Sequence, residues 1–330
     1  MRPLPVNWGI LGCARVARQR WIPAINASGR GRVAGIASRT LEKAQTWAKD
    51  LQIERAYGSY EQLLDDAEIQ AVYIGLPNHL HVPWVLKVLQ AGKHVLCDKP
   101  LALRPQEVIQ VVEAVAEHQR LLVEGFMYQY HRQYELIDRW LKEGRIGDLK
   151  MIRLGFCFYF DRPGDYRYDP EMGGGALLDL GCYCVHLARK LAGRKPIRVQ
   201  GVQRLHETGA DWTTSAILEF DDDILAIIDC SFGYQADQYL HIAGTDAYIA
   251  SDYPFTPDHP TTVKLTSKTD ILVETFPPDT PFTRCVDDFH RRLDLGEFLP
   301  CPAADAHDNL QTLQAIVQSA TQGRPVELPG

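Results

Sequence analysis

One glycine-rich segment, residues 173–186, brings together several side chains that could carry out proton chemistry. It reads Gly-Gly-Gly-Ala-Leu-Leu-Asp-Leu-Gly-Cys-Tyr-Cys-Val-His. Asp179 and Tyr183 are four residues apart, so a helix places them on one face, with His186 on nearly the same face. The helix is otherwise mostly apolar and is expected to be buried, so the Asp179 carboxylate needs a partner, and Lys99 is the candidate. Read alone, the segment equally fits an Asp satisfied by local backbone groups and a Tyr in ordinary core packing.

Further polar side chains follow two predicted strands, at the point where each strand ends. The strands cover residues 71–74 and 94–97, and an Asp-Lys-Pro sequence follows the second one. The carboxyl ends of parallel strands are where ligands bind in this kind of sheet, so these side chains are candidates for a ligand site. The Asp-Lys-Pro sequence by itself also fits a lysine on a surface loop. The polar candidates are Asn78, His81, Asp98 and Lys99.

A regular alternation of strands and helices positions these segments in the first 125 residues. Strands are predicted over residues 6–11, 32–37, 71–74, 94–97 and 121–124, with a short one near 55–56. Amphipathic helices lie between them, with capping signals at Thr40 and Ser59, Pro105 at a first helical position and Gly92 at a helix end. This alternation predicts an α/β domain at residues 1–125 with a doubly wound, Rossmann-type parallel sheet.

The turn after the first strand has the features of a dinucleotide site. Residues 9–17 read Gly-Ile-Leu-Gly-Cys-Ala-Arg-Val-Ala, with alanines where the second and third glycines of the fingerprint are usual. The helix that follows would offer free backbone N–H groups to phosphates. This degenerate match alone also fits a helix that merely packs closely on a sheet. The cofactor-binding residues predicted here are Gly12, Ala14, Arg15 and Val16.

The end of the second strand favours NADP(H) over NAD(H). An NAD site usually has Asp or Glu at this point to bind the ribose hydroxyls, but here Ser38 and Arg39 follow the strand and no carboxylate precedes Glu42. Ser38 can donate to a 2′-phosphate, and Arg39 can pair with it or stack on the adenine. Lys43, one turn further on, is also predicted to bind the cofactor. A solvated Arg at the start of a surface helix is the alternative.

After residue 125 the pattern changes to that of an α+β domain, which we place at residues 126–330. A helix is predicted over 130–142, a strand over 149–160 and a helix over 176–191. Strand follows strand from 197 to 275, with a hairpin at the three aspartates 221–223, and two helices close the chain near 285–293 and 303–321. The pattern predicts a large, open, mostly antiparallel sheet. Such a sheet commonly buries a face against another protein, so we expect a homodimer or a higher homo-oligomer.

Composition and charge exclude several other classes of protein. The 330 residues carry a net charge of −7, which gives no general attraction to nucleic acid or to an anionic membrane. No apolar run is long enough to span a bilayer, and the N-terminal residues carry no export signal. The eight cysteines contain no Cys-x-x-Cys pair, so we expect reduced thiols, no metal site and a cytoplasmic protein.

Taken together, these motifs resemble the family of glucose-fructose oxidoreductase and inositol dehydrogenase. The resemblance rests on residues 9–17, on the Asp-Lys-Pro sequence and on the segment 173–183, and it spans nearly the whole chain. Three positions depart from the usual pattern: Asp98 replaces Glu, Tyr183 replaces the His of many members, and His186 replaces an acid. The tyrosine is typical of the branch containing dihydrodiol and D-xylose dehydrogenases.

The resemblance implies that Lys99, Asp179 and Tyr183 are the catalytic group of an NADP(H)-dependent sugar or diol oxidoreductase. It would transfer a hydride between the nicotinamide and a sugar-like alcohol or ketone. Tyr183 would exchange the hydroxyl proton, Lys99 would lower the phenol's pKa from its ordinary value of about 10, and Asp179 would orient Lys99.

The resemblance also implies which side chains surround the cofactor and the substrate. Leu76, Asn78, His81 and Asp98 would border the nicotinamide and its ribose, and Arg167 would lie near both ligands. The candidates for a sugar pocket are Phe126, Tyr128, Tyr159, Tyr166 and His186. Two other functions remain open: a redox-neutral glycoside hydrolase with tightly held dinucleotide, and a non-catalytic nucleotide- or sugar-binding protein.

Overall fold

The computed structural model describes residues 5–256, 258–299, 301 and 303–329, and the chain forms two compact units. One unit comprises Met1–Met127 and Thr280–His307, and the other comprises Tyr128–Asp279 and Asp308–Gly330.

This division differs from the predicted one, because the segment from Thr280 to His307 returns to the first unit. The Trp8 indole donates to His290 Nε2 at 3.1 Å, and the Trp21 ring packs edge-on against Phe282 with centroids 4.8 Å apart. Trp8 and Trp21 are both fully buried, so the returning segment completes the core of the first unit.

The first unit contains the predicted doubly wound sheet. Its six parallel strands lie in the order β3-β2-β1-β4-β5-β6, so the order reverses between β1 and β4. The strands are β1 (Val6–Leu11), β2 (Gly31–Ala37), β3 (Arg55–Tyr57), β4 (Ala71–Ile74), β5 (His94–Cys97) and β6 (Leu122–Glu124). The helices are α1 (Ile22–Ala27), α2 (Leu41–Leu51), α3 (Tyr60–Leu64), α4 (His81–Gln90), α5 (Pro105–His118) and, from the returning segment, α8 (Pro281–Leu295).

Local sequence accounts for most of these boundaries. The Ser59 hydroxyl accepts a hydrogen bond from the Gln62 N–H at 3.2 Å, as the capping pattern predicted, and Pro105 is the first residue of α5. Thr40 precedes α2 without a capping bond from its side chain, which differs from the prediction. Every residue of β4 is buried, as expected for a strand covered on both faces.

The second unit is built on a nine-stranded sheet in the order β14-β13-β12-β11-β7-β10-β9-β8-β15. Only the β7–β10 pair is parallel among the pairings described, so the sheet is mostly antiparallel, as predicted. Its strands are β7 (Leu149–Cys157), β8 (Arg198–Leu205), β9 (Asp211–Phe220), β10 (Ile224–Ser231), β11 (Asp237–Gly244), β12 (Ala247–Ser251), β13 (Thr261–Ser267), β14 (Ile271–Phe276) and β15 (Val326–Glu327). The helices are α6 (Arg132–Lys142), α7 (Cys182–Ala192) and α9 (Ala306–Gln322), whose first two residues belong to the first unit.

Alternation along the strands gives this sheet one buried face and one exposed face. In β10, Ile224, Ala226 and Ile228 are buried, whereas Leu225 and Ile227 between them are exposed. The predicted hairpin joins β9 to β10, with the two aspartates before Ile224 in the left-handed conformation. None of the described helices combines the length and apolar character needed to cross a membrane.

Candidate active site

The turn after β1 is shaped for close approach by a ligand. Gly12 has φ +93°, and a Cβ there would lie 2.7 Å from Leu76 Cδ2 and 3.0 Å from the Gly75 carbonyl oxygen. Because a larger residue fits neither the backbone conformation nor the space, the glycine is required. The Gly12 N–H donates to the Ala37 carbonyl, which ties the turn to the end of β2. The turn therefore fits the pyrophosphate of a dinucleotide.

The other cofactor-binding residues predicted near this turn differ in exposure. Arg15, Arg39 and Lys43 are exposed, Ala14 and Val16 are half-buried, and Ser38 is buried beside the end of β2. Two cations and a hydroxyl at the end of β2, without a carboxylate before Glu42, fit a phosphorylated adenosine ribose.

His81 connects the loops that follow β4 and β5. Its ring is fully buried, with Nδ1 2.8 Å from the Pro100 carbonyl oxygen and Nε2 2.8 Å from the Leu76 carbonyl oxygen. Burial lowers the pKa of His81 to about 4 and outweighs the two carbonyl oxygens, which favour the charged ring. The histidine thus fixes the loops that carry Leu76, Asn78 and Lys99.

The Asp98-Lys99-Pro100 segment is held from both sides within the first unit. The Tyr73 hydroxyl donates to Asp98 Oδ2 at 3.0 Å, and the Glu124 carboxylate accepts from the Leu101 N–H at 2.7 Å. The Lys99–Pro100 peptide bond is cis. Lys99 is half-buried, and Asn78 and Leu76 after β4 are buried. The backbone that carries the candidate lysine is therefore well fixed.

In the second unit, Asp179 forms an ion pair with Arg167. The Arg167 Nε donates to Asp179 Oδ2 at 2.7 Å and Nη2 donates to Oδ1 at 3.4 Å, while Nη1 bonds Asp165 at 3.2 Å. Burial disfavours the guanidinium charge, but Asp179 and the other anionic neighbours outweigh it and raise the pKa of Arg167. The sequence predicted Lys99 as the partner of Asp179. Within this unit, the positive charge beside Asp179 comes from Arg167.

Asp179 lies in a π-helical turn rather than in the regular helix predicted over 176–191. The turn covers Leu177–Gly181 and runs directly into α7. Gly175 precedes it with φ +104°, and a Cβ there would lie 2.0 Å from Asp211 Oδ1. The Asp211 carboxylate accepts from the Leu177 N–H at 2.8 Å and from the Thr214 hydroxyl at 2.9 Å, so it anchors the start of this turn.

Tyr183 follows in the first turn of α7, surrounded by aromatic rings. Its ring centroid lies 5.4 Å from that of Phe156, 5.6 Å from Phe255 and 5.8 Å from Tyr128. The Tyr128 hydroxyl lies 2.5 Å from His186 Nδ1. The structure therefore brings Tyr183, Tyr128 and His186 together, with Phe156 and Phe255 as neighbours that the sequence did not indicate.

The predicted sugar-pocket residues differ widely in exposure. Phe126 and Tyr128 are buried like ordinary core side chains, whereas Tyr159 is 64% exposed. Tyr166 is half-buried beneath the Arg167 guanidinium, which lies 4.8 Å from its ring centroid. Of the four phenylalanine and tyrosine candidates, Tyr159 and Tyr166 are therefore the two that are not buried.

In the part of the chain that the structure describes, no group of three His, Cys, Asp or Glu side chains could hold a metal ion. None of the eight cysteines forms a disulfide bond, and all but Cys13 are buried.

Two family descriptions match the chain in succession. Residues 6–126 match the oxidoreductase family with an NAD-binding Rossmann fold, and residues 134–250 match the GFO/IDH/MocA C-terminal domain. D-xylose 1-dehydrogenase (NADP(+)) 2 of Haloferax volcanii is 36% identical, over 97% of this chain and 99% of that protein. Trans-1,2-dihydrobenzene-1,2-diol dehydrogenase of Xenopus laevis is also 36% identical, over 74% of this chain and 75% of its own length.

The chain is also similar to solved structures of an oxidoreductase. A 3-ketoreductase from Actinomadura kijaniata, in complex with NADP and TDP-benzene, superposes with a TM-score of 0.90 at 27% identity. The match covers 96% of this chain and 98% of the ketoreductase. Structures of that enzyme also include a variant with a tyrosine replaced by phenylalanine and variants with a lysine replaced by alanine or glutamate.

Proposed function

The chain belongs to the GFO/IDH/MocA oxidoreductase family, and from that premise we propose that it interconverts a sugar-like alcohol and its ketone with NADP(H). The resemblance inferred from the motifs is thereby confirmed, including the branch with dihydrodiol and D-xylose dehydrogenases. The observation that carries the proposal is a tyrosine enclosed by aromatic rings, one helical turn after an ion-paired aspartate.

The chain's own residues would handle the proton in this reaction. When bound, the nicotinamide supplies or accepts the hydride. Tyr183 would take the hydroxyl proton of an alcohol or give a proton to a ketone oxygen. Burial among aromatic rings disfavours a phenolate, so a cation is needed to offset it, and we assign that role to Lys99. Arg167 and Asp179 would fix the start of the helix that carries Tyr183.

The variants of the Actinomadura ketoreductase support this assignment. The tyrosine and the lysine replaced in that enzyme are separated by the same number of positions as Lys99 and Tyr183. A shared spacing over two chains that match along nearly their whole length is the pattern expected if both pairs occupy corresponding places.

The general test of this function is a substrate screen. Aldoses, diols, ketosugars and nucleotide-linked ketosugars would be offered to the purified chain while NADPH absorbance is followed. Net oxidation or reduction of free cofactor with one of these classes is the expected result. A glycoside cleaved without net change in NADPH would instead assign the chain to redox-neutral hydrolysis.

Cofactor preference should depend on Arg39. The wild-type enzyme is expected to use NADP(H) at least tenfold more efficiently than NAD(H), because a charged hydrogen bond to phosphate contributes about 1.5–3 kcal/mol. Arg39→Ala should lose most of that preference while kcat/KM for NAD(H) stays near wild type. Steady-state kinetics with both cofactors would measure this, with Arg18→Ala, an exposed arginine paired with Asp50, as the matched control. Equal use of both cofactors by the wild type would contradict it.

The exposed face of the nine-stranded sheet should mediate self-association. Ile217 and Ile227 lie directly opposite each other on β9 and β10, and both are exposed, as are Leu225 and Val202 nearby. Contiguous apolar side chains of this kind mark protein interfaces. Light scattering at micromolar concentration should give a dimer or larger species, and Ile227→Glu should shift it towards the chain mass of 37.2 kDa. A wild-type protein that stays monomeric would refute self-association.

A further inference from the structure

The peptide bond that precedes Tyr183 is held by a side chain from the last helix of the chain. Asn309 Nδ2 on α9 donates to the Cys182 carbonyl oxygen at 3.2 Å. Asn309 and Cys182 are both buried and both belong to the second unit, although 127 positions separate them. Because a peptide group is planar, a bond to the Cys182 oxygen also restrains the Tyr183 nitrogen, and with it the direction in which the tyrosine side chain leaves the helix.

An ion pair beside Asn309 connects α9 to α7 a second time. Asp308 Oδ2 lies 3.6 Å from Arg189 Nη2, and the Arg189 side chain is only 7% exposed. Arg189 follows Cys182 by seven residues, or about two helical turns, so both contacts lie on one face of α7. Two contacts on one face restrain α7 from rotating about its axis or sliding along α9.

The hydrogen bond from Asn309 lies at a change of helix geometry. The π-helical turn Leu177–Gly181 ends just before Cys182, which is the first residue of α7. A Cβ on Gly181 would lie 3.0 Å from Cys230 Sγ, so this turn packs closely against β10. Single π-helical turns inside α-helices occur frequently at functional sites. Asn309 therefore bonds the backbone at the point where the regular helix begins.

The Asn309 amide makes this bond although its oxygen gains nothing from burial. Asn309 Oδ1 is buried and has no hydrogen-bond partner among the side chains and backbone groups that the structure describes. A buried acceptor without a partner is unfavourable, so an apolar side chain of similar size would serve the packing equally well. Exceptions of this kind are expected at functional sites. The bond from Nδ2 accounts for a polar side chain here better than packing does.

We propose that Asn309 is a positioning residue for Tyr183. By holding the peptide between Cys182 and Tyr183, it keeps the phenol where it can exchange a proton with the substrate oxygen. Asn309 acts through the backbone and exchanges no proton itself. A misplacement of about 1 Å can lower a rate about a hundredfold, so a single restraint of this kind has a measurable effect on turnover. The inference rests on the proposed role of Tyr183 as the acid–base group.

Two variants of Asn309, each made with and without Tyr183→Phe, test this role in the full chain. Asn309→Leu removes the donor at similar volume, and Asn309→Ala removes it without added bulk. With Tyr183 present, kcat for the best substrate of the screen should fall about tenfold, while the Kd of NADPH stays within about twofold. With Tyr183→Phe present, the same changes should lower kcat less than about twofold, because the group that they misplace is absent.

Amide hydrogen exchange adds a readout that requires no substrate. Peptides covering residues 177–187 should exchange about fivefold faster in both Asn309 variants, as expected when one ordinary hydrogen bond is lost. Thr312→Val is the matched control, because Thr312 is also buried on α9 but its hydroxyl donates to the Asp308 carbonyl of the same helix at 2.9 Å. This control should leave both kcat and the exchange of these peptides at the wild-type values.

The two backgrounds distinguish positioning of Tyr183 from a general structural role. An equal loss of kcat in both backgrounds would overturn the inference, as would wild-type kcat and exchange in Asn309→Ala. If Asn309→Leu does not fold, Asn309→Ala alone decides. In each of these cases the role of Tyr183 stands as long as Tyr183→Phe itself loses turnover. Near wild-type turnover of Tyr183→Phe would overturn the proposed function of that tyrosine together with the inference.

Discussion

Replacing Tyr183 by phenylalanine is expected to remove most turnover while the fold and NADP(H) binding persist. The change deletes only the hydroxyl, and the ring keeps its contacts with Phe156, Phe255 and Tyr128. General acid–base groups typically contribute about a hundredfold to ten-thousandfold to a rate, so kcat should fall by that amount. Tyr248→Phe is a suitable control, because Tyr248 stacks on His241 far along the same sheet.

The pH dependence gives this prediction a second readout. Alcohol oxidation requires the ionised phenol, so the rate should rise with pH through one ionisation below the ordinary tyrosine value of about 10. The Tyr183→Phe enzyme should lack this rising limb in whatever activity remains. Near wild-type turnover with an unchanged profile would instead direct attention to His186, which lies beside Tyr128.

Lys99→Ala should be at least as damaging as the tyrosine variant. It removes the cation that favours the phenolate, whereas Asp179 keeps its ion pair with Arg167, so the loss should fall mainly on kcat. Any remaining rising limb of the pH profile should move to higher pH. Lys87→Ala is the matched control, because Lys87 is an exposed lysine on α4 that pairs with Glu61.

The double variant distinguishes a shared step from two separate ones. If Lys99 and Tyr183 act in one proton transfer, the double variant should be little slower than the worse single variant. Losses that multiply would show that Lys99 contributes to a different step, such as substrate binding. Binding of NADP(H), followed by calorimetry, should survive in all three proteins if their folds are intact.

The sequence predicted most of the first unit because its elements have strong local signals. The strands expected at residues 6–11, 71–74 and 94–97 have the bounds observed for β1, β4 and β5. Buried parallel strands, helix caps and turn glycines are all encoded within a few residues. The same holds for the hairpin between β9 and β10.

What the sequence could not predict depends on contacts between distant parts of the chain. The pairing of Asp179 with Arg167 and the anchoring of Leu177 by Asp211 join side chains that no periodic pattern relates. The π-helical turn has no propensity signature that separates it from an α-helix. The return of residues 280–307 to the first unit likewise depends on which apolar faces fit, because α8 alone reads as an ordinary amphipathic helix.

That returning segment has a consequence for the order in which the chain can mature on the ribosome. Trp8 is synthesised about 280 residues before Phe289 and His290, so its contacts with them can form only after the intervening chain has been translated. Part of the core of the first unit therefore stays uncovered until the strands β7 to β14 have been synthesised. Folding of this unit as one continuous stretch of nascent chain is therefore ruled out, because its core is completed only by residues that follow the strands of the second unit.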